Sequence, residues 1–476
     1  MAFGRAQRIG AVSVPAAKQP GLVAEPAQAD AQTGAEPDSE AEFYALADKV
    51  RSALVEIIDA AQLDRLNPPE ARSEVAGAIR RILQRRAEPV PNFMADRLVD
   101  ELVDDILGFG PLEPLLAQDA LTDIMVNGPR DVYVESAGRI QKVDIRFRDS
   151  QHLLNICQRI VSLVGRRVDE SSPICDARLP DGSRVNVIAP PLSLKGPTLT
   201  IRKFRKEKLT LDDLVRFGSI TPEGADILKI VGGCRCNLIV SGGTGSGKTT
   251  LLNCIAGYID KSERIVTCED SAELQLQQPH VVPLETRPPN LEGRGEIHMR
   301  DLVKNCLRMR PDRIVVGEVR GGEAFDLLQA MNTGHDGSMG TVHANTPREA
   351  LRRLETMITG AGFALPSRNI REMIVNSIDI VVHAARLRDG RRVITHLTEV
   401  IGMEEDTIIT QDLYVYKISG EDGKGHVLGK HMGTGITQPK IWERAVYFGQ
   451  QQKLADALQI ANRLAEAPAP PDIGMA

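Results

Sequence analysis

Apolar side chains recur at helical spacing in the first patterned stretch of the chain, at Phe43, Leu46, Val50, Leu54 and Ile57, and again at Val75, Ile79 and Ile82 behind the start signal Asn67-Pro68-Pro69. That period predicts amphipathic helices. A third is predicted after Asn92, with Leu98, Leu102 and Ile106 on one face and a stop at Gly108-Phe109-Gly110-Pro111. Residues 42–90 therefore read as a small helical bundle. Ahead of it, Gly4 to Ala41 has no aromatic residue and consists largely of Ala, Pro, Gln, Gly and acidic side chains. Such a segment cannot bury enough apolar surface to offset its ordering entropy, so residues 1–41 are expected to be a disordered arm.

From Leu112 the period becomes that of strands: Thr122 to Val126, Val132 to Glu135, a turn at Ser136-Ala137-Gly138, then an alternating run from Ile140 to Phe147. A helix carrying Leu153, Cys157, Ile160 and Leu163 precedes a hairpin turned at Pro180-Asp181-Gly182 and a last strand, Thr198 to Phe204. This is a compact α+β domain over 91–206, closed by the basic run Arg202, Lys203, Arg205, Lys206 and Lys208. After a capping-box pattern at Thr210 to Asp213, residues 207–420 alternate strand and helix. Candidate strands are Asn237 to Val240, Arg264 to Glu269, Val281 to Leu284, Arg313 to Val319 and Ser338 to His343; candidate helices are Thr249 to Tyr258, Met299 to Met309, Glu323 to Met331 and Ala350 to Ile358. That alternation predicts a parallel sheet covered on both faces, with ligands gathered at the carboxyl ends of its strands. Another helix and a hairpin turned at Asp389-Gly390 follow Leu365. The remainder, 421–476, reads as a Gly-rich tail, then a helix from Gln451 to Leu464, then a loose end.

The strand Leu238 to Val240 runs directly into Gly242-Gly243-Thr244-Gly245-Ser246-Gly247-Lys248-Thr249, with Thr250 following. G-x-x-x-x-G-K-T between a strand and an apolar helix is the P-loop pattern. Its glycines let backbone N–H groups turn inward as an anion nest, and the helix that follows adds its positive end. The ligand such a loop suits is a polyphosphate, with Lys248 over the β- and γ-phosphates and the Thr249 hydroxyl placed for Mg²⁺. Two further strands end in acids: Ile314 to Gly317 delivers Glu318, and Ile265 to Cys268 delivers Glu269 and Asp270, with Glu273 a turn beyond. Nucleotide hydrolysis needs a carboxylate for the Mg²⁺ shell and another to orient or deprotonate water. The segment from Gly334 to Asn345 adds His335 and His343 beside a further strand, each a candidate for reaching phosphate.

Bulk properties narrow the reading. At 476 residues the chain has room for several domains. With 58 basic and 64 acidic residues its net charge is −6, which disfavours a nonspecific grip on nucleic acid. Seven scattered cysteines without a C-x-x-C pair suit a reducing cytoplasm and argue against disulfides or a four-cysteine zinc site. No apolar run reaches the roughly 18 residues of a spanning helix, so any membrane role is expected to come through a partner.

Taken in order, the P-loop, Thr267-Cys268-Glu269-Asp270, Gly317-Glu318-Val319-Arg320 and the Gly334–Asn345 segment resemble the Walker A, Asp box, Walker B and His box of the type II/type IV secretion and pilus-assembly motor ATPases. The resemblance covers about Leu98 to Arg388. Gly108-Phe109-Gly110-Pro111-Leu112, Asp123-Ile124-Met125-Val126-Asn127-Gly128, Arg178-Leu179-Pro180-Asp181-Gly182-Ser183-Arg184 and Ile201-Arg202-Lys203-Phe204 look most like the tight-adherence (Tad) pilus ATPases of the CpaF type. The resemblance implies an α/β fold: a RecA-like P-loop NTPase domain with a mainly parallel sheet, preceded by a PAS-like α+β domain and the N-terminal helical bundle. It also implies a cytoplasmic homo-hexamer, peripheral at the inner membrane, that uses ATP and Mg²⁺ and acts on a polytopic inner-membrane platform protein. By motif, Glu269 carries over as the Asp-box catalytic or metal-shell acid, Glu318 as the Walker B acid, His343 as the His-box residue, and Arg184 and Arg202 as arginines that contact the terminal phosphate. Thr249, Glu269 and Glu318 are the implied metal-shell residues. The four-cysteine module of type II secretion ATPases is missing, which counts against that branch.

The leading expectation is thus a motor that assembles, and in some settings retracts, a Tad-type pilus. The alternatives are a type IV secretion or conjugation export ATPase and, from another class, a RecA-like nucleic-acid translocase. The last would favour a basic groove with interleaved aromatics, whereas the run from Arg202 to Lys208 contains Phe204 alone.

Overall fold

The computed structural model describes residues 37–57, 66–86, 90–136, 138–204, 208–289 and 294–466. The chain divides into two compact units, one ending at Val103 and the other beginning at Asp104. In the first, helix Pro37–Ile57 packs on helix Pro68–Gln84, burying Phe43, Val50, Leu54, Val75 and Ile79. The Asn67-Pro68-Pro69 start signal acts as expected: the Asn67 side chain accepts from the Glu70 N–H, and Glu70 reaches back to the Asn67 N–H. The helix after Asn92 runs to Leu107. The expected arm is corrected at its end, since Pro37 to Ala41 belong to the first helix; its residues 1–36 lie outside the described residues.

The second unit holds two sheets. The first, six-stranded among the described residues, is antiparallel throughout, in the order β3-β2-β1-β6-β5-β4. Its strands are β1 Leu121–Asn127, β2 Val132–Ser136, β3 Arg139–Val143, β4 Ile174–Arg178, β5 Arg184–Ile188 and β6 Thr198–Arg202. Alternation divides its faces. Ile124, Val126, Val185, Val187, Leu199 and Ile201 share one core with Leu153, Ile156, Cys157 and Ile160 of helix Ser150–Ser162, leaving Asp123, Arg184 and Arg202 on the other face. The run expected to be strand as far as Phe147 stops at Val143, because β3 is an edge strand and its partner β2 begins opposite, at Val132. Phe147 still reaches the core. Leu163 lies just past the helix and is exposed. The Gly108–Leu112 segment is a structural junction. Glu113 accepts the Phe109 N–H at 2.8 Å, and the neighbouring Asp105 meets His152 Nε2 at 2.8 Å.

The second sheet has nine strands among the described residues, in the order β15-β14-β13-β12-β7-β11-β10-β8-β9. Strands β7 Leu238–Gly242, β8 Ile265–Glu269, β9 Val281–Glu285, β10 Arg313–Val316, β11 Met339–His343 and β12 Ile380–Arg386 run parallel. Strands β13 Arg392–Glu404, β14 Thr407–Glu421 and β15 Val427–Gly433 extend it antiparallel. The inner parallel strands β7, β8, β10, β11 and β12 are mostly apolar because both their faces are covered, while β9 at the edge is half-exposed. Leu238 and Val240 face one core and Ile239 the other; Ile380 and Val382 face the first and Val381 the second.

One reading of the C-terminal third is corrected. The Gly-rich stretch from Ile418 is not a tail but the β14–β15 hairpin, so a boundary at 420/421 would cut a strand. Helix Gln451–Glu466 places Leu454, Ala457, Leu458 and Ala461 in the same core as Ile227, Leu228 and Val231 of helix Pro222–Gly233. Gly429, Gly420 and Gly433 disguised the hairpin: its strands are held by pairing, β14 to β13 and β15 to β14. Strand β10 also ends earlier than expected, at Val316, with Gly317 opening the turn that delivers Glu318. Residues 205–207 of the basic run and the last residues from 467 onward lie outside the described residues.

Candidate functional site

Parallel pairing puts the carboxyl ends of six strands on one edge, and each ends in candidate chemistry. Register sets His343 of β11 against Gly242 of β7, and Gly242 against Ala384 of β12. Glu269 lies against Glu285 across β8 and β9. Glu318 follows β10 by two residues.

The P-loop leaves β7 at Gly242, where a Cβ would collide with the Ala384 carbonyl, and Gly245 and Gly247 adopt φ of +70° and +92°. These positions need glycine. Helix Lys248–Ala256 begins at once, so its unpaired N–H groups face the loop. The Ser246 hydroxyl is buried without a partner. A buried orphan hydroxyl, inward amides and Lys248 form a cradle that fits a polyphosphate. Lys248 Nζ donates to the Gly243 carbonyl at 3.0 Å, and burial holds its pKa below the usual lysine value. Thr249 and Thr250 follow in the first helical turn. No cluster of three or more His, Cys, Asp or Glu side chains suited to a metal occurs among the described residues. A Mg²⁺ ion would rest on the expected Thr249, Glu269 and Glu318 with phosphate oxygens and water, the mixed shell that ion prefers.

Glu318 is the hub of a polar chain. Its Oε2 lies 2.7 Å from Arg320 Nη2 and its Oε1 3.2 Å from His343 Nε2, while Arg320 Nη1 reaches Asp270 at 3.2 Å. Burial pushes the Glu318 carboxyl up, but Arg320, His343 and Lys248 together outweigh it and hold the group below its ordinary value, ionised. His343 Nε2 is also 3.3 Å from Lys248 Nζ. Burial, then Lys248, keeps this imidazole below its ordinary pKa. A neutral ring can accept from Lys248 or donate to Glu318 through Nε2, but not both at once.

Glu269 differs. It is 2% exposed, and Gly317 packs so closely that a Cβ there would come within 2.8 Å of its Cγ. Its Oε2 accepts the Glu273 and Leu274 N–H groups at 2.7 and 2.9 Å, while Oε1 is buried and unpartnered. Burial raises its pKa to about 7 despite the two amides. The two acids thus occupy different protonation regimes, the arrangement that separates an acid–base group from a permanently charged one.

The arginines come from the six-stranded sheet. Register aligns Arg178, Arg184, Arg202 and Asp123 directly across β4, β5, β6 and β1, all on the face away from the helix. Like charges opposite each other destabilise a sheet unless something neutralises them. Here the counter-ions come from both sides: within the sheet Asp176 lies 3.4 Å from Arg184 and Asp123 3.9 Å from Arg202, while from the nine-stranded sheet and the loop after its β8, Glu285 Oε2 lies 3.3 Å from Arg178 and Glu273 Oε1 3.4 Å from Arg184 and 3.7 Å from Arg202.

The structure thus brings Lys248, Glu318 and His343 together, sets Glu269 in a neighbouring strand end, and aims Arg184 and Arg202 at the loop that follows Glu269. His335 is separated from them. It precedes β11 at the opposite edge, where its carbonyl accepts the Ser338 hydroxyl. Sequence reasoning assigned no site role to four contributors. Glu273 anchors both arginines, Arg178 joins their row, and Arg386 and Arg392 flank the P-loop from the β12–β13 hairpin, with Arg392 Nε donating to the Gly245 carbonyl at 2.9 Å. The signal for Arg386 was available: an apolar strand ending in a cation at the ligand edge.

The profile of the family described as Type II/IV secretion system protein matches residues 105–410. A Mycobacterium tuberculosis protein whose name assigns it provisionally to conjugal transfer is 41% identical over 297 residues, covering 61% of this chain and 84% of its own. The type IV secretion system protein VirB11 of Bartonella henselae is 29% identical over 337 residues, covering 63% and 94%. Among solved structures, the VirB11 ATPase of the Brucella suis type IV secretion system is 30% identical, covering 60% of this chain and 91% of that one, with a TM-score of 0.33. Among the described residues no helix is long and apolar enough to cross a membrane.

Proposed function

This chain belongs to the type II/IV secretion system protein family, and we propose that it is an ATP-hydrolysing motor of a secretion or pilus machine. The observation that carries the reading is the single edge on which the P-loop lysine, Glu318 and Glu269 meet a row of arginines from another sheet. Mg²⁺, when bound, neutralises phosphate charge and orients its oxygens. Lys248 holds the terminal phosphates. The free Oε1 of Glu269 takes the proton of the attacking water as the oxygen–phosphorus bond forms and the bond to the ADP oxygen breaks. Arg184 and Arg202 leave Glu273 for the charge that develops on the transferred group. We read the six-stranded sheet as the PAS-like domain and the parallel sheet as the RecA-like domain, in a homo-hexamer coupled to an inner-membrane platform protein.

Within the family, an export role in type IV secretion or conjugation is favoured by the names of the relatives, which refer to conjugal transfer and VirB11. Tad pilus assembly is the second reading, and it rests on the four motifs from Gly108 to Phe204. Their residues Asp123, Arg178, Arg184 and Arg202 form one row across the first sheet.

The test is phosphate release by the full chain with ATP and Mg²⁺. Wild type should turn over, and Lys248→Ala should lose nucleotide affinity and turnover together by at least about a hundredfold. Wild-type turnover in that variant would overturn the reading. Deleting the gene should abolish plasmid or protein transfer if the export role holds, and surface pili if the Tad role holds.

A further inference from the structure

The edge that carries the P-loop also carries two arginines the proposed hydrolysis does not use. Strand β12 runs parallel beside β7 and ends at Arg386, next to the P-loop; across the hairpin, Arg392 of β13 is its direct cross-strand partner. Two cations opposite each other weaken an antiparallel pair, so their placement calls for acceptors or an anion nearby. Two of their contacts are to backbone carbonyls. Arg392 Nε donates to Gly245, and Arg386 Nη2 donates at 2.7 Å to Gly138, in the β2–β3 turn of the first sheet. The pair also brackets the loop sterically. A Cβ on Gly245 would stand 3.5 Å from Arg386 Nη1, and one on Gly247 would stand 3.5 Å from Arg392 Cδ.

We propose that Arg392 and Arg386 form a cationic collar on the outside of the P-loop that sets its grip on the diphosphate part of a nucleotide, with Arg392 as a positioning residue. This rests on the nucleotide reading above and deepens it. The peptide between Gly245 and Ser246 is planar and trans, so its C=O and N–H point in opposite directions. By holding the Gly245 carbonyl outward, Arg392 turns the Ser246 N–H inward and polarises it. That N–H otherwise makes only a 3.4 Å contact with the Gly243 carbonyl, the same oxygen that receives Lys248. Arg386 adds positive charge at the rim and ties it to the first sheet. Acting through the loop and not on the terminal phosphate, the collar serves nucleoside diphosphates and triphosphates alike. Arg184 and Arg202 are expected to discriminate between the two.

The experiment measures affinity of the full chain for fluorescent ADP and ATP analogues, with the nucleotide-free Tm, in wild type, Arg392→Ala, Arg392→Lys and Arg386→Ala. Arg392→Ala should weaken ADP and ATP equally by about tenfold, the scale of one charge-assisted hydrogen bond. Arg392→Lys should recover part of that loss by restoring charge, and Arg386→Ala should cost about threefold. The nucleotide-free Tm should stay at the wild-type value. Wild-type affinity in Arg392→Ala, a loss confined to ATP, or a loss that tracks a lowered nucleotide-free Tm would each overturn the collar while leaving the nucleotide site standing. A wild-type chain that binds neither analogue would sink the nucleotide reading itself.

Discussion

In the nine-stranded sheet every candidate functional side chain lies at or just beyond a strand end, whereas in the six-stranded sheet the candidates run across strands in one row. Parallel pairing gathers carboxyl ends, so Gly242, Glu269, Glu318 and His343 meet because each follows an apolar run of its own. Antiparallel pairing places the end of one strand beside the start of the next, so Arg178, Arg184 and Arg202 are neighbours despite their different positions along β4, β5 and β6. The first arrangement builds a pocket from independent pieces. The second builds a rank of cations side by side on one face of a sheet. The proposed motor would use both: the pocket to hold the nucleotide, and the arginine rank as a lever whose position that nucleotide changes.

The sharpest way to break this division is to remove one cation of the rank. Arg202→Ala or Arg184→Ala should lower turnover by about a thousandfold, as loss of a charge-stabilising arginine does in phosphoryl transfer, while ADP affinity stays within about threefold. Equal losses in both, read by steady-state turnover and ADP titration, would make the rank part of the pocket. On the pocket side, Glu269→Gln should slow hydrolysis by about a hundredfold with ATP binding retained. Unaltered turnover there would transfer the proton-accepting role to Glu318. That is the harder assignment, since Arg320 and His343 already occupy both oxygens of Glu318.

The same contrast explains what could be read in the sequence. Each strand-end residue lies in a contiguous stretch, so the P-loop, Glu269, Glu318 and His343 were legible from a few neighbours apiece, and so were the helices around them. Arg184 and Arg202 were reached only through family likeness, because nothing local says that residues 18 apart stand side by side; the register does. Glu273 was visible as an acid but not as their shared counter-ion. The β14–β15 hairpin was missed because its glycines imitate a loop and its order comes from pairing of β14 with β13 and of β15 with β14. His335 and His343 looked alike in sequence, and the direction of β11 alone parts them.

The smallest expected effect is also the most discriminating. Glu273 links the two regions through its side chain, which faces Arg184 and Arg202, while its backbone N–H holds Glu269. Glu273→Gln keeps the N–H and removes only the charge. The ion pairs are long, and the Arg184 and Glu273 side chains are each about a third exposed, so their loss should change stability by less than about 1 kcal/mol. Released from a competing carboxylate, the arginines should meet the terminal phosphate more readily. The KM for ATP should then fall by about threefold, by the same modest electrostatic scale, and ADP affinity should not move. A fall in turnover with unchanged KM would mean that Glu273 steers the rank and does not merely restrain it, and the lever would then include the loop after β8 as well as the arginine face.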